Sequence, residues 1–250
     1  MTERYHCGVL YPSWIRHEHY ARYQFACDLV RGQKVVDAAC GAGIGSSLFL
    51  KAGAQEVLAF DSSDDAIDEA RRLHASDGLV FQSADCLRLP VADRSADVFI
   101  SLETIEHLSD DRGFLEEVTR ILRPGGVLIA STPNRDVTNP KTSISDKPMN
   151  PFHQREYSSD EWRSLLENHF SSVRMYGQNR QSRAAMGLIL FLRRFLPAAA
   201  VVWVQRFFKL RWAIGDSIEK HRVVPADPDR ADEILVSVCS LPKHGNKARL

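Results

Sequence analysis

The chain has 250 residues, 44% of them apolar, which suits one domain with a full core and an elaboration. Lys and Arg together number 32, as do Asp and Glu, so no global field points to nucleic acid. The five cysteines (Cys7, Cys27, Cys40, Cys86, Cys239) contain no C-x-x-C pair, which argues against a disulfide frame or a zinc site and for free thiols in a reducing compartment.

Residues 1 to 15 read as an irregular arm rich in aromatics (Tyr5, Tyr11, Trp14). They show no basic-then-apolar signal pattern, so a cytoplasmic location is expected. Arg16–Leu29 is predicted as a helix from the recurrence of Tyr20, Tyr23 or Gln24, and Cys27, with Gly32 ending it. Val35–Ala39 is apolar on both faces, as a buried parallel strand should be, and carries Asp37. A turn with glycine at every second position follows (Gly41, Gly43, Gly45), then a helix over Ser46–Ala52. Such glycines let the backbone approach a ligand, and the helix start presents free N–H groups to it. Alone the run is ambiguous, because the dinucleotide fingerprint needs its third glycine where Ser46 stands.

Strand Val57–Phe60 runs into Asp61, and Ser62 or Ser63 caps the next helix, whose first turns carry Asp64, Asp65 and Asp68. Strand Leu79–Gln82 ends near Asp85, and Asp97–Ser101 is the next strand. Phe114, Leu115, Val118, Ile121 and Leu122 mark an amphipathic helix ended by Arg123-Pro124-Gly125-Gly126, before strand Val127–Ser131. Residues 132–156, with four prolines, read as a functional loop or lid. Ser158-x-x-Glu161 is a capping box for a helix with Trp162, Leu165, Leu166 and His169. Ser172–Tyr176 and Ile234–Ser240 are the last strands. The alternation predicts an α/β, doubly wound seven-stranded sheet, mostly parallel with a last antiparallel strand, in one domain over 1–250. Ligands of such sheets bind beyond the carboxyl ends of the strands, where Asp37, Gly41, Asp61, Asp85 and Glu103 fall.

The ordered set of Asp37…Cys40-Gly41-Ala42-Gly43, Asp61, Asp85-Cys86 and Leu122-Arg123-Pro124-Gly125-Gly126 resembles the class I S-adenosylmethionine-dependent methyltransferases. The resemblance covers residues 16–176 and the strand at 234–240, and implies their Rossmann-like fold and cofactor. It places Asp61 on the ribose hydroxyls, Asp85 on the adenine amino group and the Gly41–Gly45 backbone under the methionine moiety. Asp37 is expected to orient the loop and the methionine ammonium, or only to brace the loop. Ser62, Cys86 and Ser101 complete the expected cofactor set. Glu18-His19-Tyr20-Ala21-Arg22-Tyr23 resembles a segment ahead of the glycine loop in methyltransferases of bacterial glycan and natural-product clusters. That implies Arg22 on the cofactor carboxylate, with Tyr23 beside it. Residues 1–31 would then form an arm and lid helix.

Glu103-Thr104-Ile105-Glu106-His107 narrows the chemistry. On a helix, Glu103, Glu106 and His107 converge. Two carboxylates and an imidazole suit Mg²⁺ or Mn²⁺. The pattern is similar to that of ubiquinone-pathway O-methyltransferases and plant-type small-RNA 2′-O-methyltransferases, the latter with a further histidine past the fifth strand; here His153 stands there. The expected metal set is therefore Glu103, Glu106, His107 and His153, and the metal-free alternative makes His107 or His153 the catalytic base. A purely structural role for the segment also stays open.

Residues 177–233 carry Arg180, Arg183, Arg193, Arg194, Arg206, Lys209 and Arg211, with no acid between Glu167 and Asp216. The segment reads as a helical cap, a homodimer surface or a membrane-surface element, the cap being favoured, with arginines for a phosphate-bearing or lipid-phosphate-linked acceptor. The leading expectation is O-methylation of a sugar or small metabolite. Alternatives are a membrane-surface methyltransferase of a phenolic or quinone lipid, N-methylation of an aminosugar, and a cofactor-binding accessory subunit without turnover. No nucleic-acid partner is expected.

Overall fold

The computed structural model describes residues 13–181, 221–227 and 231–242. The expected helical cap over 177–233 lies outside the described residues except at 177–181, 221–227 and 231–233, of which 177–181, 224–225 and 231–233 belong to strands. Five apolar stretches become parallel strands: β1 (Lys34–Ala38), β2 (Glu56–Asp61), β3 (Leu79–Ser83), β4 (Ala96–Leu102) and β5 (Leu122–Pro133). With β6 (Phe170–Gln181), β7 (Val224–Pro225) and β8 (Ala231–Pro242), the sheet runs β3-β2-β1-β4-β5-β8-β6-β7. Among the described residues, eight strands stand where seven were expected. The additional one is the two-residue β7, which pairs with Tyr176 and Gly177 of β6 and carries no periodic signal at that length. β8 is antiparallel to both β5 and β6, as the expected last strand.

Both faces of the sheet are buried, and alternate residues feed separate cores. Val36, Ala38, Phe99, Leu128 and Ala130 face one cluster, with helices α4 (Asp111–Ile121) and α6 (Ser159–Glu167) supplying Phe114, Leu115, Val118, Trp162 and Leu166. Val35, Val98, Ile100 and Ile129 face the other. There α1 (Ser13–Cys27), α2 (Ile44–Lys51) and α3 (Asp64–His74) supply Ala26, Phe49, Ile67 and Ala70. The fully buried Trp162 donates its Nε1–H to Ser237 Oγ on β8 (2.7 Å), and both halves of the Ser158/Glu161 capping box form. Ser63, not Ser62, caps α3.

Two local expectations change. Arg123-Pro124-Gly125-Gly126 does not separate helix from strand but bulges within β5. The register with β4 steps from Ala96↔Leu122 to Val98↔Val127, and Arg123 pairs with Asp97. Glu103 does not start a helix. It sits at φ 54°, ahead of a single 3₁₀ turn, Ile105–His107. The helical i, i+3, i+4 argument therefore fails at Glu103, and whatever brings these side chains together is tertiary. The lid also contains a short helix, α5 (Arg135–Thr138).

Candidate active site

Strand order reverses between β1 and β4. At the carboxyl ends around that crevice lies a cavity of about 550 Å³. Its two ends differ in chemistry.

The first end is built by the β1–α2 turn. Ala39 and Gly41 take left-handed φ values of 62° and 55°, which turn the chain sharply out of the sheet. A Cβ on Gly41 would meet nothing within 4 Å, so the turn presents bare backbone to the cavity. Gly43 serves packing instead, since at φ 79° its missing Cβ would stand 2.6 Å from the Phe81 ring. Gly45 leaves room for the Tyr23 ring in the same way. Asp61, 5% exposed, accepts from Gly41 N–H (3.0 Å) and Ser63 N–H (2.9 Å), so it braces the turn while lining the cavity. Asp85 at the end of β3 accepts from Leu87 N–H (2.9 Å); Ser62, Cys86 and Tyr23 also line this end. Burial pushes the Cys86 and Cys40 thiols up, so neither is a ready nucleophile.

Four expected cofactor residues do not line the cavity: Arg22, Asp37, Gly43 and Ser101. Asp37 lies beneath the turn and accepts from Ser46 Oγ. Burial raises its pKa to about 7 against the relief given by that hydrogen bond, and the charge of Asp61 adds to the rise. Arg22 is 2% exposed and donates to Gln178 Oε1 and to His19 Nδ1 (3.2 Å). His19 is the residue of this helix that reaches the cavity with Tyr23. Burial, then the Arg22 charge, lowers its pKa to about 3, so it is neutral; with Nδ1 accepting, Nε2 carries the hydrogen.

The second end holds Glu103, Glu106, His107 and His153 together with Leu108, Pro133 and Phe152. Glu103 is pinned to β5: Ser131 Oγ donates to its Oε1 (2.6 Å), and its own N–H reaches Ser131. Glu106 is 1% exposed and accepts from Thr132 Oγ1 (3.1 Å). Burial, reinforced by Glu103, pushes its pKa up to about 8. His107 Nδ1 lies 3.0 Å from the Phe152 carbonyl. A carbonyl only accepts, so Nδ1 is protonated and Nε2 is the acceptor of that ring. The His107 and His153 rings meet edge to face at 4.9 Å. Donor atoms of Glu106, His107 and His153 lie within 4.8 Å of one another, whereas Glu103 falls outside that group. The lid is tied down by Gln154 N–H on the Glu106 carbonyl (2.7 Å).

Sequence reasoning missed His19, Phe152 and Glu156. The last accepts from His153, Thr138 and Asn139, three donors that outweigh its burial and hold its carboxyl below the usual range. Its only sequence signal was its place three residues after His153.

Residues 36–130 match a family model described as a methyltransferase domain. A probable S-adenosylmethionine-dependent methyltransferase of Mycobacterium tuberculosis is 36% identical over 165 residues, 66% of this chain and 58% of that protein. A ubiquinone biosynthesis O-methyltransferase of Bradyrhizobium is 34% identical over 42% of each chain. The chain thus spans under two thirds of the length of the curated relatives it matches. Among solved structures, an S-adenosylmethionine-dependent methyltransferase of Thermotoga maritima superposes with a TM-score of 0.61 at 16% identity, covering 92% of this chain and 93% of its own. A [4+2]-cyclase superposes at 0.57, also with 16% identity, covering 87% and 81%. The fold alone therefore does not choose the reaction.

Proposed function

We propose that this chain, which carries a class I S-adenosylmethionine-dependent methyltransferase domain, methylates a hydroxyl of a small acceptor, a sugar or similar metabolite. The observation that carries the reading is one cavity with a bare-backbone turn and two carboxylates at one end and two histidines beside buried acids at the other. The donor set at the first end fits the cofactor: Asp61 and Asp85 offer acceptors for ribose hydroxyls and an adenine amino group, and the open face of Gly41 admits a ligand against the backbone. S-adenosylmethionine, when bound, supplies an electrophilic methyl on a sulfonium.

The acceptor hydroxyl is a poor nucleophile until its proton leaves, and His107, whose Nδ1–H is held by the Phe152 carbonyl so that Nε2 is the ring's acceptor, is the group to take it. Glu106 stands beside that proton transfer with its carboxyl pushed above the usual range by burial and by the charge of Glu103. Phe152 and Leu108 line the same end with apolar surface.

A second reading is favoured by the three-donor group. Glu106, His107 and His153 would hold Mg²⁺ or Mn²⁺, whose Lewis acidity lowers the pKa of a bound hydroxyl. For the acceptor, Ile144, Met149 and Phe152 leave large apolar side chains exposed on the lid, which supports the phenolic or quinone lipid alternative. Among the described residues no helix is long and apolar enough to cross a membrane. Four described cysteines are free.

The deciding experiment uses methyl-labelled cofactor with sugars and phenolic lipids as acceptors, with and without chelator, scored by methyl ether formed. Turnover that survives chelation selects His107 as base, and turnover that stops and returns with Mn²⁺ selects the metal. Tight cofactor binding with no methylated product from any acceptor would refute O-methylation.

A further inference from the structure

Glu156 is 3% exposed, and both of its oxygens are spoken for. Oε2 accepts from Asn139 Nδ2 and Thr138 Oγ1; Oε1 lies 2.7 Å from His153 Nδ1. A carboxylate surrounded by donors is ionised and only accepts, so His153 Nδ1 must carry a hydrogen. The opposite side of the ring requires the same tautomer. Asn150 Nδ2 stands 2.9 Å from His153 Nε2, while Asn150 Oδ1 accepts from Phe152 N–H (3.1 Å). The amide thus presents its donor, and Nε2 presents its lone pair.

From this geometry we infer that Glu156 is a positioning residue that holds His153 with Nδ1 protonated and so reserves its Nε2 lone pair for the acceptor end of the cavity. The inference rests on the proposed methyl transfer only for its consequence in turnover. An acceptor O–H or a cation that uses His153 takes the lone pair now held by Asn150. His107 reaches the same Nδ1-protonated state through the Phe152 carbonyl, so lid residues 150–156 set both rings. The competing role is a lid clasp, in which His153 merely ties residues 138–139, 150 and 156 together. A clasp holds with either tautomer. A positioned ring does not work with both.

Glu156→Gln separates these roles. The glutamine amide cannot accept from both Asn139 Nδ2 and His153 Nδ1. Turning its oxygen to Asn139 points its NH₂ at Nδ1, which must then accept; the ring hydrogen moves to Nε2, and the Asn150 amide turns its Oδ1 to that hydrogen, giving up the Phe152 N–H. Adding Asn139→Asp supplies an acceptor for that NH₂, returns the glutamine oxygen to His153 and restores the original tautomer. The carboxylate that Asn139→Asp introduces can still accept from Met149 N–H, as the Asn139 amide oxygen does.

The experiment is long-range ¹⁵N–¹H NMR of histidine-labelled protein, with His153 assigned from a His153→Gln sample. The expected result is Nδ1–H in the native protein, Nε2–H in E156Q and Nδ1–H again in E156Q/N139D. With labelled S-adenosylmethionine and the acceptor panel, turnover of E156Q falls about 10- to 100-fold and recovers in the double variant. Affinity for S-adenosylmethionine by calorimetry stays unchanged in both. Nε2–H in the native protein overturns the inference, and so does native turnover in E156Q after its tautomer has switched. If E156Q does not fold, the native spectrum and the double variant decide the tautomer. A native protein that methylates nothing refutes the proposed function and leaves the tautomer result standing.

Discussion

Asp61 is the residue whose removal tests most of this reasoning at once. Its carboxylate holds two backbone N–H groups, those of Gly41 and Ser63, at 3.0 and 2.9 Å, and it also lines the cavity. Asp61→Ala orphans both donors. An unsatisfied buried N–H costs about 1–3 kcal/mol. Here both donors stand near a cavity that water enters, and loss of the Asp61 charge eases the strain on buried Asp37, so the net loss in the cofactor-free protein is also about 1–3 kcal/mol. Cofactor affinity loses a similar increment from the ribose acceptor, about 10- to 100-fold in Kd. Urea unfolding without cofactor measures the first quantity and calorimetry with S-adenosylmethionine the second. Unchanged stability would show that Asp61 does not brace the turn. Unchanged affinity would remove it from the cofactor site even if the protein were destabilised.

Three further outcomes are expected. Ser158→Ala removes one half of a complete capping box and lowers stability by about 1 kcal/mol in urea unfolding, with cofactor affinity unchanged. Gly43→Ala forces a Cβ against the Phe81 ring at a left-handed φ, costing about 1–3 kcal/mol; a wild-type melting curve would show that the turn relaxes freely. Asp37 has its folded pKa raised from 3.8 to about 7, so between those values the folded state binds the extra proton and the stability from this group falls as pH rises. Asp37→Asn removes that dependence, gaining on the wild type by about 1.4 kcal/mol per pH unit inside the window; parallel stability profiles from pH 4 to 7 would refute the burial argument.

The parallel strands and their helices were legible because each has a periodic core pattern. Val35 and Val36 face opposite clusters, as an apolar run of that kind demands. Asp61 and Asp85 were placed at strand ends by the alternation of elements, and both line the cavity there. Arg22 does not line the cavity. Its helix was predicted, but the sequence carries no information on which helix residue turns towards Gln178, and His19 took the cavity position instead. Glu103 failed for a local reason, since a left-handed φ in a glutamate has no periodic signature.

By itself the chain determined the order of elements, the glycine turn, the acids at the strand ends and the capping box. All of these depend on neighbours within a few residues, through periodicity, capping and φ preferences. Only the tertiary structure decided the bulge at Arg123–Gly126, the eighth strand, the seat of Asp37 beneath the turn and the assembly of Glu106, His107, His153 and Glu156. The last group joins a 3₁₀ turn after β4 to a lid almost fifty residues later in the sequence. Its geometry is set by a carbonyl from Phe152 on one ring, a buried carboxylate on the other, and the Glu106 backbone that holds the lid down. The Phe152 and Glu106 hydrogen bonds span more than forty residues and follow from where the sheet places the two segments, whereas Glu156 meets His153 at i, i+3.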